Sequence, residues 1–221
     1  MLLKRKNKLF VGILLLLAFG VWTWLLGIVD VRQIGPDGSS VGFATINEFF
    51  HSLTGVNMSL YIITDWLGLV PVAVCLAFAV MGLVEWIKRK KILLVDKSIL
   101  VLGIFYLVVI AVYVLFEYVV INRRPVLIDG YLEASYPSST TMLVMCVMPT
   151  AAMQLSARIK DRFLRGIVVA LIIAFIAFMV IGRLLSGVHW LSDIIGGTLV
   201  SSGLVLLYDS FAGQEKIDSF T

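Results

Sequence analysis

Six apolar stretches, each long enough to cross a bilayer, constrain this chain more than any other feature. They run over residues 10–29, 60–86, 99–121, 141–157, 167–185 and 191–211. A hydrocarbon core of roughly 30 Å takes about twenty residues in helical form. Inside it, only helices and closed barrels satisfy their own backbone polar groups, and barrel strands are far shorter than these runs. The expected fold is all-α: a polytopic membrane protein, a six-transmembrane-helix bundle, in one domain over residues 1–221. Pro149 falls inside the fourth stretch, which a spanning helix tolerates because neighbours take up the freed carbonyl. The first stretch follows Lys4, Arg5, Lys6 and Lys8 but is too long for a secretory signal core, so it is expected to be an uncleaved anchor.

Charge gives the orientation. With six spans, the N-terminus, the second and fourth connections and the C-terminus share one side. They hold four, five, four and one basic residues (the last Lys216), fourteen of the eighteen. The excess marks that side as cytoplasmic, with both termini inside the cell membrane. Arg32, Arg123, Arg124 and Arg183 lie on the other side, and the last three, at span ends, are functional candidates. The net charge of +4 is accounted for by topology, so no nucleic-acid partner is implied. Cys75 and Cys146 sit inside apolar stretches as small hydrophobes. The segment 30–59 is polar and glycine-rich, a connector or a lid over the outer face. The tail 213–221 is short, polar and expected to fray.

Three segments reach the outer face together. Asn122-Arg123-Arg124-Pro125 ends the third span, and Tyr136-Pro137-Ser138-Ser139-Thr140-Thr141 begins the fourth. Gly182-Arg183 closes the fifth, followed after five residues by His189 and after three more by Asp193. Taken singly each has a plain reading: arginines anchoring to headgroups, Ser138 or Ser139 capping a helix, an interfacial histidine. An Arg-x5-His-x3-Asp spacing arises by chance in on the order of one per cent of chains this long. Finding it opposite the other two segments argues for a site. His189 and Asp193 are four apart, so on a helix the carboxylate faces the imidazole and holds its tautomer. An oriented imidazole is a nucleophile toward phosphorus. Guanidinium forks match phosphate oxygens, and a helix N-terminus offers amide N–H groups to the same anion.

These motifs resemble those of the membrane-bound type 2 phosphatidic acid phosphatase family, the lipid phosphate phosphatases, over roughly residues 117–193. The family has six spans, no metal, and three motifs: Lys-x6-Arg-Pro, Pro-Ser-Gly-His and Ser-Arg-x5-His-x3-Asp. The resemblance implies that His189 is the nucleophile, forming a phosphohistidine, and Asp193 its orienting partner. It implies that Arg124 and Arg183 bind phosphate oxygens, with Ser138 and the amides around Ser139 adding hydrogen bonds; Arg123 is counted with them. No cofactor or metal is implied. Three of the chain's departures from the pattern stand out. Gly182 stands where the family has serine. Thr140 stands where the family keeps the second histidine, its general acid. Glu117 stands at the lysine position.

A threonine hydroxyl hardly ionises and is a poor general acid. Three compensations follow from the residues. Glu117, two helical turns before Arg124, either prepositions Arg123 or Arg124 through an ion pair or, if desolvated and protonated, acts as the acid itself. His51, the only other histidine, lies in the 30–59 segment and is expected to be an ordinary loop residue. The third is a substrate whose leaving group needs no proton. The expected activity is metal-independent hydrolysis of a lipid phosphate or diphosphate at the extracytoplasmic face; phosphatidic acid, phosphatidylglycerol phosphate and polyprenyl diphosphate all fit. The alternative is a catalytically impaired member that binds or transports lipid phosphates. The charge asymmetry yields a direct check: membrane-impermeant thiol reagents should label Ser39→Cys from outside intact cells and spare Ser219→Cys, and the reverse pattern overturns the orientation.

Overall fold

The structure, a computed structural model, describes residues 2–212; the tail 213–221, with Lys216, lies outside the described residues. Among the described residues its architecture is helical apart from the hairpin over residues 32–41 and a short β-bridged turn in the connection over residues 119–138. The elements are α1 (Leu2–Leu26), β1 (Arg32–Gln33), β2 (Ser40–Val41), α2 (Ala44–Thr54), α3 (Met58–Leu67), α4 (Leu69–Arg89), α5 (Lys97–Tyr118), α6 (Ser139–Arg158), α7 (Arg162–Leu185) and α8 (Leu191–Ala212). Six helical segments are long and apolar enough to span a bilayer, with α3 and α4 forming one of them. The chain is an integral membrane protein.

The second span is broken because Pro71 has no N–H to donate to Leu67 four residues back, and its ring crowds that carbonyl. The Gly68 amide instead donates to Thr64 and Asp65 carbonyls at 3.1 and 2.9 Å. Pro149 leaves α6 continuous, and the Thr150 hydroxyl donates to the Cys146 carbonyl at 2.9 Å.

The spans are not equivalent. Half of the apolar window of α6 and 61% of that of α8 are buried, against 11–22% in the other four. The central pair is therefore α6 and α8, ringed by lipid-facing helices. Phe78, Ile99, Leu102, Phe105, Met142, Cys146, Leu204 and Tyr208 join α4, α5, α6 and α8 in one core, while Val144, Met148, Ile172 and Met179 join α6 to α7. Small residues let α8 do this: a Cβ on Gly203 would come within 2.8 Å of Leu16 of α1. Both cysteines are free; Cys146 is buried and Cys75 half-buried.

The two ends of the bundle differ in chemistry. At the basic end Lys8 pairs with Asp209, and Arg158 pairs with Asp96 at 3.0 Å. All the motif residues gather at the opposite end. The segment 30–59, expected as a polar connector or lid, is instead folded into the hairpin and α2. Because Phe43 at its N-cap offers no side-chain bond, α2 is capped from a distance: the Thr45 amide donates to Asp30 at 2.6 Å. That amide, with Arg32 beside it, lowers the Asp30 pKa below its ordinary value. The tight α1–α8 contact predicts that Gly203→Leu destabilises the protein by about 1–3 kcal/mol through overpacking, read as a lower thermal midpoint in detergent.

Candidate active site

The site is assembled from the α5–α6 connection, the first turn of α6, the end of α7 and the approach to α8. Within the connection, Asp129 and Gly130 both have positive φ, 50° and 82°, the signature of a two-residue hairpin turn. Ile128 and Tyr131 exchange backbone hydrogen bonds across it, and the Arg124 amide donates to the Glu133 carbonyl at 3.1 Å. The hairpin thereby sets Glu133 against Arg124, whose Nε lies 2.9 Å from the Glu133 carboxylate.

Asp193 is fully buried and spends both oxygens on hydrogen bonds. It is the third residue of α8, and its carboxylate reaches back to the Trp190 amide at 2.9 Å, half of a capping box. The Asn122 side-chain amide donates to its other oxygen at 3.2 Å. Its backbone carbonyl accepts from the Ser138 amide at 3.1 Å, tying the start of α8 to the start of α6. Asn47 of α2 completes the frame, accepting from the Ser192 amide at 3.1 Å and donating to the Ser192 hydroxyl at 2.9 Å.

His189 precedes α8 and does not lie on it, which corrects the expectation that it shares a helix face with Asp193. Its Nδ1 stands 3.7 Å from the Asp193 carboxylate, an electrostatic contact longer than a hydrogen bond. Its Nε2 faces Arg124 Nη1 at 3.3 Å and Arg183 Nη2 at 3.5 Å. A guanidinium only donates, so Nε2 is the acceptor and the ring proton sits on Nδ1, toward Asp193. The free lone pair points between two cations. Burial first, then the charges of Arg124 and Arg183, lower the His189 pKa well below the ordinary histidine value.

A cavity of about 390 Å³ opens on this arrangement, lined by Tyr113, Phe116, Glu117, Arg124, Glu133, Ala134, Ser135, Tyr136, Pro137, Ser139, Met142 and His189. Its lining divides evenly between polar or charged residues and aromatic or apolar ones. Tyr136 is among the aromatic ones, its hydroxyl 2.7 Å from that of Thr23. A Cβ on Gly196 would fall 2.3 Å from the Tyr136 ring, so only glycine fits there.

The structure separates the residues singled out in the sequence. Arg124, Ser139, Glu117 and His189 line the cavity. Arg183 is buried behind His189, its guanidinium 4.9 Å over the Tyr61 ring and 3.7 Å from Asp65. Ser138 is buried and caps α6, its hydroxyl accepting from the Thr141 amide at 3.5 Å. Arg123 turns outward to the Leu132 carbonyl, and its own carbonyl accepts from the Trp190 indole. Thr140 is absent from the cavity wall. Glu117 lines the cavity but is exposed, and the carboxylate paired with Arg124 is that of Glu133. His51 bonds the Gly187 carbonyl at 3.1 Å and packs on Trp190, outside the cavity. Glu133, Asn122 and Asn47 are the residues that sequence reasoning missed; the Asp129-Gly130 turn was the signal for Glu133.

Two features now stand together: a six-span membrane fold, and a buried histidine between two arginines at one end of it. Residues 118–214 match the model of the PAP2 superfamily. The fold is similar to the crystal structure of a transmembrane PAP2-type phosphatidylglycerolphosphate phosphatase from Bacillus subtilis, at 23% identity and a TM-score of 0.55, covering 95% of this chain and 98% of that one. At that identity the likeness shows the fold. No curated protein sequence matches the chain. The family match covers the part of the chain that holds Arg124, Ser139, Arg183, His189 and Asp193.

The electrostatics of His189 give a pH prediction. Its folded pKa lies below that of the unfolded chain, about 6.5, so the unfolded state takes up the proton first as pH falls. The histidine therefore withdraws stability on acidification below that point and changes nothing above it. Arg124→Gln removes one of the two cations and should raise the His189 pKa toward its ordinary value. Imidazole ¹⁵N shifts read this directly, with two histidines to assign; an unmoved titration overturns the account.

Proposed function

We propose that this protein is a lipid phosphatase of the cell membrane that uses His189 as its nucleophile at the extracytoplasmic face. The observation that carries the reading is the direction of the His189 Nε2 lone pair, toward Arg124 and Arg183 at 3.3 and 3.5 Å. A phosphoryl group in the cavity takes the guanidinium N–H groups that now rest on Nε2, and the phosphorus comes to the nucleophile. Ser139, at the N-terminus of α6, adds donors to the same anion. The aromatic and apolar lining residues suit the apolar remainder of a lipid, and the location at span ends suits a headgroup.

In the first half-reaction Nε2 attacks phosphorus, the P–N bond forms and the P–O bond to the lipid breaks. The departing oxygen takes a proton unless it leaves as a stable anion. In the second, water attacks phosphorus and gives up a proton, the P–N bond breaks, and orthophosphate and His189 are released. Asp193, 3.7 Å from Nδ1, stabilises the cationic ring while the phosphohistidine exists. As proposed, no step is routed through a metal.

The departing proton decides the substrate. With Thr140 outside the cavity wall, Glu117 and Glu133 are the carboxyls of that wall. Losing a general acid slows cleavage roughly 10²–10⁴-fold when the leaving group needs a proton, and far less for a diphosphate. A polyprenyl-type diphosphate lipid is therefore favoured over a monoester such as phosphatidic acid. The position of Thr140 also supports the second reading, a member that binds or moves lipid phosphates without turning them over.

Phosphate release from a panel of lipid mono- and diphosphates in detergent, with and without chelator, tests the proposal. We expect turnover unaffected by chelator, higher on diphosphates, and lost on every substrate in His189→Ala, with acid-labile ³²P trapped only in protein that keeps His189. Glu117→Gln and Glu133→Gln should slow monoesters more than diphosphates where the carboxyl supplies the proton, and both classes alike where it only positions an arginine. Equally inert wild type and His189→Ala that still bind lipid phosphate establish the second reading.

A further inference from the structure

Outside the site, α2 leaves part of its surface uncovered. At about 100° per residue, the side chains of Ala44–Thr54 sort into three arcs. Ala44, Asn47 and His51 face the protein, with Ala44 and Asn47 fully buried. Thr45, Glu48 and Ser52 form a polar arc, tied to Arg32, which donates to the Thr45 hydroxyl at 2.9 Å and lies 3.7 Å from the Glu48 carboxylate. Ile46, Phe49, Phe50 and Leu53 form an apolar arc about 100° wide, with Ile46, Phe49 and Leu53 exposed by 47%, 56% and 66%.

The position of α2 identifies what covers that arc. Asn47 holds the Ser192 amide in the first turn of α8, and His51 meets the Gly187 carbonyl just beyond α7. The Asn57 amide donates to the Ser186 carbonyl at 2.9 Å. The helix thus lies across the ends of two spans. Its exposed apolar surface runs on through Val56 and Met58, 47% and 41% exposed, into the span that α3 begins. Four side chains fall far short of the roughly 800 Å² per partner of a stable protein interface, whereas a helix with one apolar and one charged arc at span ends fits the headgroup boundary.

We propose that α2 is an interfacial helix. It lies along the bilayer surface at the site end, with Ile46, Phe49, Phe50 and Leu53 seated among lipid headgroups and upper acyl chains and with Thr45, Glu48 and Ser52 turned to water. Its third arc carries the hydrogen bonds to Ser192 and Gly187 on either side of His189. One eleven-residue helix therefore stands between the lipid surface and the loop that holds the histidine.

The test uses the full chain reconstituted in phosphatidylcholine–phosphatidylglycerol vesicles, with Cys75 and Cys146 replaced by alanine. Spin labels are placed singly through Phe49→Cys, Leu53→Cys, Glu48→Cys and Ser52→Cys. Labels at 49 and 53 should collide with oxygen in preference to a water-soluble nickel chelate, and labels at 48 and 52 the reverse. Ile46→Cys reports the same apolar arc should Phe49→Cys fail to reconstitute. Equal access of the chelate to both arcs overturns the proposal. Dipolar broadening between labels at 49 or 53 on separate molecules also overturns it, by assigning the arc to a second copy. The readout involves no turnover, so it succeeds or fails independently of the phosphatase reading.

Discussion

The Asp193 carboxylate lies where four segments meet, and the rest of the site end hangs on how it is satisfied. Taking an ionised carboxylate out of water is costly unless donors replace the solvent. Here the Trp190 amide and the Asn122 side chain do so. Each donor fixes a piece of chain: Trp190 sets the entry to α8, Asn122 the exit from α5. The Asp193 carbonyl adds the start of α6 through Ser138. Losing the carboxylate strands those donors, so the position is structural before it is chemical, and Asp193→Asn is a less clean probe of mechanism than a substitution at His189.

Beside this carboxylate the fold buries two guanidiniums, Arg124 and Arg183, at 8% and 1% exposure. Arg183 is held by the Tyr61 face, Asp65 and Thr64, all from α3, the short half of the broken second span. The break at Pro71 and the arginine behind His189 are thus one piece of design. Gly182 belongs to it as well: a Cβ there would come within 2.8 Å of the Thr64 methyl group. The absence of the family's serine at this position reflects the close approach of α3 to α7, a packing requirement with no bearing on phosphate chemistry.

What could be read in the sequence divides along physical lines. Spans were legible because bilayer thickness imposes a length on every apolar run, and the segregation of charge was legible because lysines and arginines cluster between the runs. Arg124, His189 and Ser139 were legible as a set because chemistry restricts residue type and spacing. The supporting frame was not. Asn122 and Asn47 meet Ser192 and Asp193 across sequence separations of 70 to 145 residues, and no local pattern encodes such pairings. Glu133 was half-legible: Asp129-Gly130 announces a hairpin, and a hairpin returns the chain past Arg124. Motif alignment supplies an order of residues but not their place in the fold: of the two neighbours in the first turn of α6, Ser139 lines the cavity and Thr140 is not among its lining residues.

The same geometry explains why a cavity beside two guanidiniums carries carboxylates. Arg124 and Arg183 place two positive charges near a neutral imidazole, and among the described residues Asp193 is the one carboxylate fully buried with them. Glu133 supplies a counter-charge at 2.9 Å from Arg124 while keeping its side chain 46% exposed. Under the proposed function, an incoming phosphate would replace one anion with another at Arg124. Glu133 thus balances Arg124 from the solvent side and Asp65 balances Arg183, so the two guanidiniums beside the imidazole each keep a counter-charge.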